Sequence, residues 1–213
     1  MRDEPPRTES RRSAVAALPR ILLASQSPRR RDLLREAGVR FRVETAGVEE
    51  RVPPGLSPAE EAQLLARLKA EAVARRFPSE TVLGADTIVA LGRRRLGKPR
   101  DEAEAAAMLE ALSGREHFVT TGVCLMRWRP RRVRMFAEIS RVRFRKLSPD
   151  AIRGYLQKVH VLDKAGAYAI QERGEEIVES LEGSLSNVIG LPMERLMEEL
   201  RRWAEADSGK KAD

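Results

Sequence analysis

The sequence predicts an α/β protein in which a mixed, twisted sheet is flanked by helices. Short apolar runs typical of buried strands alternate along the chain with segments whose apolar residues recur every three or four positions, as on one face of a helix. Two further apolar runs enclose an arginine-rich turn, which indicates a hairpin and therefore antiparallel pairing. No internal repeat is visible. Together these observations favour a single mixed sheet.

The first half of the chain carries clear helix boundaries. Ser27 suits an N-cap, Pro28 suits the first helical position, and Gly38 suits the residue just past a helix end. A longer helix begins at Ser57-Pro58. The predicted elements are, in order, strand Ile21–Ala24, helix 28–37, strand Phe41–Thr45, helix 58–76 and strand Thr81–Leu91.

The second half continues the alternation. Asp101 and Glu104 resemble a capping box at the start of the next helix. The inward-facing positions change parity between Ile139 and Val142, which predicts a β-bulge near Ser140. The predicted elements are helix 101–112, strands Val119–Met126 and Val133–Phe144, a helix from Ser148, a loop and strand within 163–179, and helix Pro192–Ala206.

These elements form one predicted domain over residues 20–206, which is long enough to bury a substantial core. Residues 1–19 contain Arg, Ser and Pro with little apolar patterning and are expected to form a disordered basic extension. Residues 207–213 are expected to form a polar tail.

The charge balance favours anionic partners. Lysine and arginine number 40 against 32 aspartate and glutamate, for a formal net charge of +8. Such an excess attracts phosphates, nucleic acid or acidic lipids, although much of it falls in the arginine-rich turn within 127–134 and is compatible with solubility alone. Aromatic residues make up only 4% of the chain, so stacking platforms are scarce and nucleic acid is not expected as a partner.

Nothing in the sequence indicates a membrane or secreted protein. No apolar run approaches the roughly 20 residues needed to cross a bilayer. The single cysteine, Cys124, cannot form an internal disulfide, in agreement with a reducing compartment. A cytoplasmic protein is therefore expected.

The strongest chemical signal is Ser25–Pro28 followed by Arg29 and Arg30. This segment joins a strand to a helix start, where free backbone N–H groups and the positive end of the helix dipole favour a phosphate. Arg29 and Arg30 could add forked hydrogen bonds to phosphate oxygens. The alternative is an ordinary capped helix whose arginines face water, but arginine is slightly unfavourable in a first turn, so a bound anion is a reasonable explanation.

Asp86 is the second signal, because a carboxylate inside an apolar strand is costly unless it is paired, hydrogen-bonded or metal-bound. Gly84 permits close approach of a backbone or a ligand. Glu49 and Glu50, in a distant loop, could complete an oxygen site for Mg²⁺, which takes one or two carboxylates plus substrate phosphates. The alternative is a structural aspartate bonded to Thr87 or nearby amides, with both glutamates solvated.

Three lysines are candidate partners for phosphate or carboxylate groups. Lys69 shares a helical stripe with Leu65 and Val73, so its side chain either extends along the edge of that stripe or points into a site. Lys98 and Lys164 are equally compatible with ordinary surface positions.

Several common sites are absent from the sequence. It contains no Walker A pattern, no Gly-x-Ser-x-Gly segment and no Cys/His metal spacing. The two histidines, His117 and His160, have no nucleophile near them in the sequence and are interpreted as structural.

Taken in order, these motifs resemble those of the Maf family of nucleoside triphosphate pyrophosphatases. Each motif alone is weak, but the ordered set is specific and covers the chain from Ile21 to the final helix. The matching segments are Ile21–Arg30, Glu49-Glu50, Lys69, Gly84–Thr87, Leu96–Pro99, Asp163–Tyr168 and Gly190–Pro192.

The resemblance implies two lobes around a nucleotide-binding cleft, as in the related inosine triphosphatase-like fold, and hydrolysis between the α- and β-phosphates with Mg²⁺ or Mn²⁺. It implies that Asp86 is the general base and that Glu49 supports catalysis and, with Asp86, the metal. Lys98 would assist catalysis. The phosphate-binding residues implied are Ser25, Arg29, Arg30, Lys69 and Lys98. Family members often pair, so a homodimer is a further expectation.

Substrate choice follows from the Asp163–Gln171 segment, which resembles the branch acting on dTTP and UTP. In that branch the positions of Arg29, Thr87 and Gln171 are associated with base choice, and the Gln171 amide could read a pyrimidine edge. Two family glycines are replaced here by Ala169 and Glu172, which bears on base preference.

Two other functions stay open on the sequence alone. One is the same reaction on 7-methyl-GTP or another nucleotide, whereas modified pyrimidine nucleotides are candidate substrates beside dTTP and UTP. The other is a non-enzymatic protein that binds nucleotide or nucleic acid through phosphate contacts and is linked to division control (septum formation). That second function uses the net charge but leaves Asp86 and the acidic pair unexplained.

Overall fold

A computed structural model of the chain describes residues 18–208. Most of the predicted extension (1–17) and tail (209–213) lies outside the described residues. The strands are β1 (Ile21–Leu23), β2 (Phe41–Val43), β3 (Thr81–Leu91), β4 (Arg94–Leu96), β5 (Glu116–Arg127), β6 (Arg132–Phe144) and β7 (Val178–Glu182). The helices are α1 (Pro28–Glu36), α2 (Pro58–Arg76), α3 (Glu102–Leu112), α4 (Pro149–Lys158), α5 (Gly174–Ile177), α6 (Leu185–Ile189) and α7 (Met193–Ser208), with a 3₁₀ turn at Ala165–Ala167.

The strands of the described chain form one mixed sheet of seven strands, which confirms the predicted fold class. The order is β2-β1-β3-β5-β6-β7, with β4 paired to β3 as a short hairpin arm. β1 runs parallel to β2 and β3, whereas the other pairs are antiparallel. The predicted hairpin around the arginine-rich turn is confirmed as β5 and β6.

Helix α2 lies directly on one face of β3 and β5, because two glycines leave room for its backbone. A Cβ atom at Gly84 would lie 2.1 Å from the Ala66 oxygen, and one at Gly122 would lie 2.2 Å from the Ala62 carbonyl carbon. Such distances are far inside van der Waals contact, so any side chain there would push the helix away. This close approach brings the side chains of α2 to the strand that carries Asp86.

Helix α7 covers the other face. Leu196, Leu200 and Trp203 are buried there against the sheet residues Leu125 and Phe136. The Trp203 indole N–H donates to the Thr81 hydroxyl at 3.1 Å, so the only polar atom of this side chain is satisfied in the core. A separate apolar cluster joins α3 and α4 to the distal half of the sheet.

The predicted bulge near Ser140 is wrong. β5 and β6 pair in continuous register from Glu116↔Arg143 to Arg127↔Arg132, and the register shift lies instead at Arg143/Phe144, where β6 meets β7. Ile139 is 54% exposed while Ser140 is buried, so the inward parity never changes. Ser140 tolerates burial because its hydroxyl donates to the Ser184 carbonyl oxygen at 2.9 Å.

Two predicted caps differ in detail. Ser27 occupies the N-cap position of α1 but makes no capping hydrogen bond with its side chain. At α3, Asp101 caps the Glu104 N–H at 2.8 Å, but the Glu104 carboxylate accepts from the N–H of Arg100, so the capping box is incomplete.

Within residues 18–208, no helix combines the length and the apolar character that a bilayer crossing requires.

Candidate active site

A cleft of about 840 Å³ opens where the chain leaves the carboxyl end of β1. One wall consists of α2 and β3, and the other consists of the start of α1 and the loop 163–171. The cleft brings together eight of the nine site residues expected from the sequence: Ser25, Arg29, Arg30, Lys69, Asp86, Thr87, Lys98 and Gln171.

Arg30 holds the turn between β1 and α1. Its side chain is buried, and its nitrogens donate to the Gly190 carbonyl (Nε, 2.8 Å), the Ser25 hydroxyl (Nη1, 3.0 Å) and the Thr87 hydroxyl (Nη2, 3.1 Å). Burial lowers the pKa of Arg30, and the nearby Asp86 carboxylate opposes that shift. Arg30 therefore fixes three separate segments around the cleft.

The hydroxyl of Thr87 makes two hydrogen bonds within this wall. Thr121 donates its only hydroxyl hydrogen to the Asn187 carbonyl at 3.0 Å, so in the 2.9 Å contact between the two threonines Thr87 must be the donor. One of the two lone pairs of the Thr87 oxygen accepts from Arg30. Thr87 therefore supports Arg30, and toward a nucleobase its hydroxyl can act only as an acceptor.

Asp86 forms the centre of an ion-pair cluster. Its Oδ1 lies 2.5 Å from the Lys69 Nζ, and the same ammonium lies 2.8 Å from the Glu50 Oε1. The Lys69 and Asp86 side chains are only 14% and 15% exposed, so little water screens their attraction. The alternative that Lys69 merely extends along the edge of its helix is excluded, because its ammonium points into the cleft.

The two adjacent glutamates have different surroundings. Glu49 is not among the cleft-lining residues; its carboxylate is 72% exposed and pairs with the Arg51 Nε at 2.8 Å. Glu50 lines the cleft through its contact with Lys69. In a loop without periodicity, the sequence gives no indication of which neighbour faces inward, and only Glu50 is brought to Asp86.

The second wall carries its own chain of charges. Arg29 Nη1 lies 3.0 Å from Asp163 Oδ2, and Lys164 Nζ lies 3.0 Å from Asp163 Oδ1 and 3.6 Å from Glu172 Oε1. Burial alone would raise the pKa of Asp163, but the two cations outweigh it and the pKa is lowered. Glu172, at a position where the family resemblance implies a glycine, pairs with Lys164.

Buried aromatic residues support this wall from below. The Tyr168 hydroxyl lies 2.9 Å from His117 Nε2, and both rings pack edge-on against Phe144. Desolvation lowers the pKa of His117 to about 4. His117 is therefore neutral at pH 7 and has a structural role, as the sequence predicts.

Two of the expected site residues have solvent-exposed side chains. Lys98 and Gln171 are exposed at the rim of the cleft, and within residues 18–208 no carboxylate lies within ion-pair distance of Lys98. An unpaired ammonium can bind an incoming anion without first releasing a partner.

Sequence reasoning missed another pair in the cleft. Arg95 Nε lies 3.2 Å from Glu61 Oε2, and both residues line the α2 wall. Glu61 lies four residues before Leu65 and eight before Lys69, so extending the helical stripe would have found it. Arg95 depends on the register of the β3–β4 hairpin, for which the sequence carries no comparable signal.

The donor set fits a divalent cation that is shared with a substrate. Asp86 and Glu50 both face one positive charge, the Lys69 ammonium, so two carboxylates already converge on a cationic position. Among the described residues no group of three or more His, Cys, Asp or Glu side chains could hold a metal alone. Sites for hard divalent cations commonly use one or two carboxylates and let substrate phosphates complete the coordination.

Comparison of the sequence with known proteins identifies a family and several relatives. The family model described as Maf-like protein matches residues 20–203. The dTTP/UTP pyrophosphatase of Pelotomaculum thermopropionicum is 47% identical over 86% of this chain and 96% of its own length. Those of Carboxydothermus hydrogenoformans and Akkermansia muciniphila are each 46% identical, over 86% and 84% of this chain and 98% and 94% of their own lengths.

A solved structure, that of the Staphylococcus aureus Ham1 protein, aligns with 88% of this chain and 99% of its own. The identity is 15% and the TM-score 0.45, a likeness too weak to support a conclusion.

Proposed function

This chain belongs to the Maf family, and from that premise we propose that it hydrolyses dTTP and UTP to the monophosphate and pyrophosphate. The observation that carries the proposal is the Asp86–Lys69–Glu50 cluster inside a cleft that also presents Arg29 and Lys98. A carboxylate beside cations is the combination that activates water against a polyphosphate.

Asp86 acts as the general base in this proposal. It accepts a proton from the attacking water, and the contact with Lys69 holds the carboxylate in place. Arg29 and Lys98 bind phosphate oxygens and stabilise the charge that develops on departing pyrophosphate. Arg30 positions Ser25 and the start of α1, whose free N–H groups face the same space.

The carboxylates of Asp86 and Glu50 are better placed than that of Glu49 to bind a divalent cation, Mg²⁺ or Mn²⁺. When bound, such an ion neutralises phosphate charge and polarises the bond that breaks. Glu49 would require its loop to turn, because its carboxylate pairs with Arg51 in the structure. We place the enzyme in the cytoplasm, where its substrates occur, and keep the homodimer as a prediction of the family resemblance.

The test is a pyrophosphate-release assay with Mg²⁺ or Mn²⁺ on dTTP, UTP, CTP, ATP, GTP and 7-methyl-GTP. We expect dTTP and UTP to be turned over fastest. Turnover of another base alone would keep the reaction and reject the base assignment. Folded protein that binds nucleotides without turnover, or binds long DNA with a steep salt dependence, would favour the non-enzymatic alternative.

A further inference from the structure

The Arg95–Glu61 pair lies in the cleft at a position that the phosphate chemistry does not use. β4 pairs with β3 so that Arg95 stands opposite Ala90, on the face of the sheet that carries Asp86. Its contact with Glu61 on α2 confirms the face, because Asp86 contacts Lys69 on the same helix. Two charged pairs therefore lie in one row along the same wall.

The separation between the two pairs can be measured along either element. Ala90 follows Asp86 by four residues, which corresponds to about 13 Å along a strand. Glu61 precedes Lys69 by eight residues, which corresponds to about 12 Å along a helix. The two independent estimates agree, so the Arg95–Glu61 pair lies roughly 12–13 Å along the wall from the position of Asp86.

The surface between the pairs is apolar. Leu65 from α2 and Ile88 from β3 line the cleft there, and both are buried. This apolar surface suits the flat face of a base or a sugar ring, and it offers a phosphate no hydrogen-bond donor or positive charge. Lys98 does not belong to this end, because β4 runs antiparallel to β3 and the chain returns toward Asp86 as it passes from Arg95 to Lys98.

The charge of the pair also disfavours a phosphate. Arg95 and Glu61 neutralise each other, so a dianionic group would meet a carboxylate beside the guanidinium. Within residues 18–208, Arg95 uses Nε for Glu61 and Nη2 for the Leu56 carbonyl at 3.2 Å, which leaves Nη1 without a partner. A free N–H donor beside a carboxylate acceptor complements a neutral edge that offers one acceptor and one donor, such as the O4 and N3–H of thymine or uracil.

We propose that Arg95 and Glu61 bind the nucleobase edge of the triphosphate, as a specificity-determining pair at the far end of the cleft. Arg95 Nη1 donates to a ring carbonyl oxygen and Glu61 accepts from the adjacent ring N–H. The assignment rests on the proposed function and extends it, since Gln171, the residue expected to read the base, lies on the opposite wall.

The experiment compares dTTP with tripolyphosphate, which carries the phosphates and no base. In Arg95→Met and Glu61→Gln we expect the KM for dTTP to rise about tenfold, as for loss of one charge-assisted hydrogen bond, with kcat changed less than threefold. The inhibition constant of tripolyphosphate should not change. Arg94→Met is the matched control, because Arg94 is the exposed neighbour on β4, and it should leave both constants unchanged.

An equal rise in the tripolyphosphate constant would show that Arg95 binds phosphate, and an unchanged KM for dTTP would show a purely structural pair; either result overturns the proposal. Glu61→Gln keeps the shape of the side chain, so it serves if Arg95→Met fails to fold. If the wild-type protein shows no turnover, the proposed function fails separately, and dissociation constants of dTTP and tripolyphosphate replace the kinetic ones in the same comparison.

Discussion

The two ends of the central sheet both carry ion pairs, but the pairs have different surroundings. At the end opposite the cleft, Asp207 on α7 receives hydrogen bonds from Arg127 and Arg132, and the Arg132 guanidinium lies 4.0 Å from the centroid of the Trp203 ring. At that end α7 packs over the β5–β6 hairpin. At the cleft, the Asp86–Lys69 pair faces about 840 Å³ of open space.

Ion pairing alone therefore does not identify a functional charge. The Asp207 cluster ties the last helix to the β5–β6 hairpin and contributes to stability. The Asp86 cluster holds a carboxylate where a ligand can reach it, on a strand whose glycine lets α2 approach. The access of a ligand, rather than the charges themselves, separates the two.

The largest expected effect is the loss of turnover in Asp86→Asn. Removing a general base typically costs 10²–10⁴-fold, so we expect kcat to fall by about 10³ while the melting temperature changes little. Pyrophosphate release from dTTP measures the first quantity. Asp207→Asn, at the other end of the sheet, is the control and should keep full kcat; equal losses in the two variants would contradict the comparison.

The second prediction separates the neighbouring glutamates. Glu50→Gln removes a partner of Lys69 and one carboxylate from the proposed metal position, and we expect kcat/KM to fall about tenfold, with a higher metal concentration needed for half-maximal rate. Glu49→Gln should behave like the wild type. A loss confined to Glu49→Gln would restore the role that the family resemblance implies for that residue.

The third prediction concerns the stability that the Asp207 cluster provides at the end of the sheet opposite the cleft. Asp207→Asn leaves two arginines with weakened partners and should lower the free energy of unfolding by about 1–2 kcal/mol. Urea denaturation would measure this change. An unchanged midpoint would mean that α7 is held by Trp203 and its apolar neighbours alone.

The smallest expected effect is a pH dependence from His117. Its pKa is about 4 in the folded protein and about 6.5 when unfolded, so below pH 6.5 the unfolded state binds a proton that the folded state does not. Stability should therefore fall by about 1 kcal/mol between pH 7 and pH 5.5, above the range where carboxylates titrate. The loss should be reduced in His117→Gln; an undiminished loss would assign it to other groups.

Much of this molecule could be predicted from local signals. β3 occupies the residues expected for it, because a long apolar run between polar turns has few alternatives. The position of the Ser25–Arg30 motif in the cleft was predictable because the strand, the turn and the helix start that form it are adjacent in the sequence. What the sequence could not supply was orientation that depends on distant contacts. Glu50 facing inward, Ser140 rather than Ile139 facing the core, and Arg95 opposite Ala90 all follow from tertiary register.

The identity of the products from dTTP is the most direct test of the proposed reaction. Phosphorus NMR of a complete turnover by wild-type protein with Mg²⁺ distinguishes cleavage at the α–β bond from cleavage at the β–γ bond. We predict dTMP and pyrophosphate in equal amounts, with no dTDP at any time. Accumulation of dTDP and inorganic phosphate would contradict the account, because it would mean that the water held at Asp86 attacks the terminal phosphate.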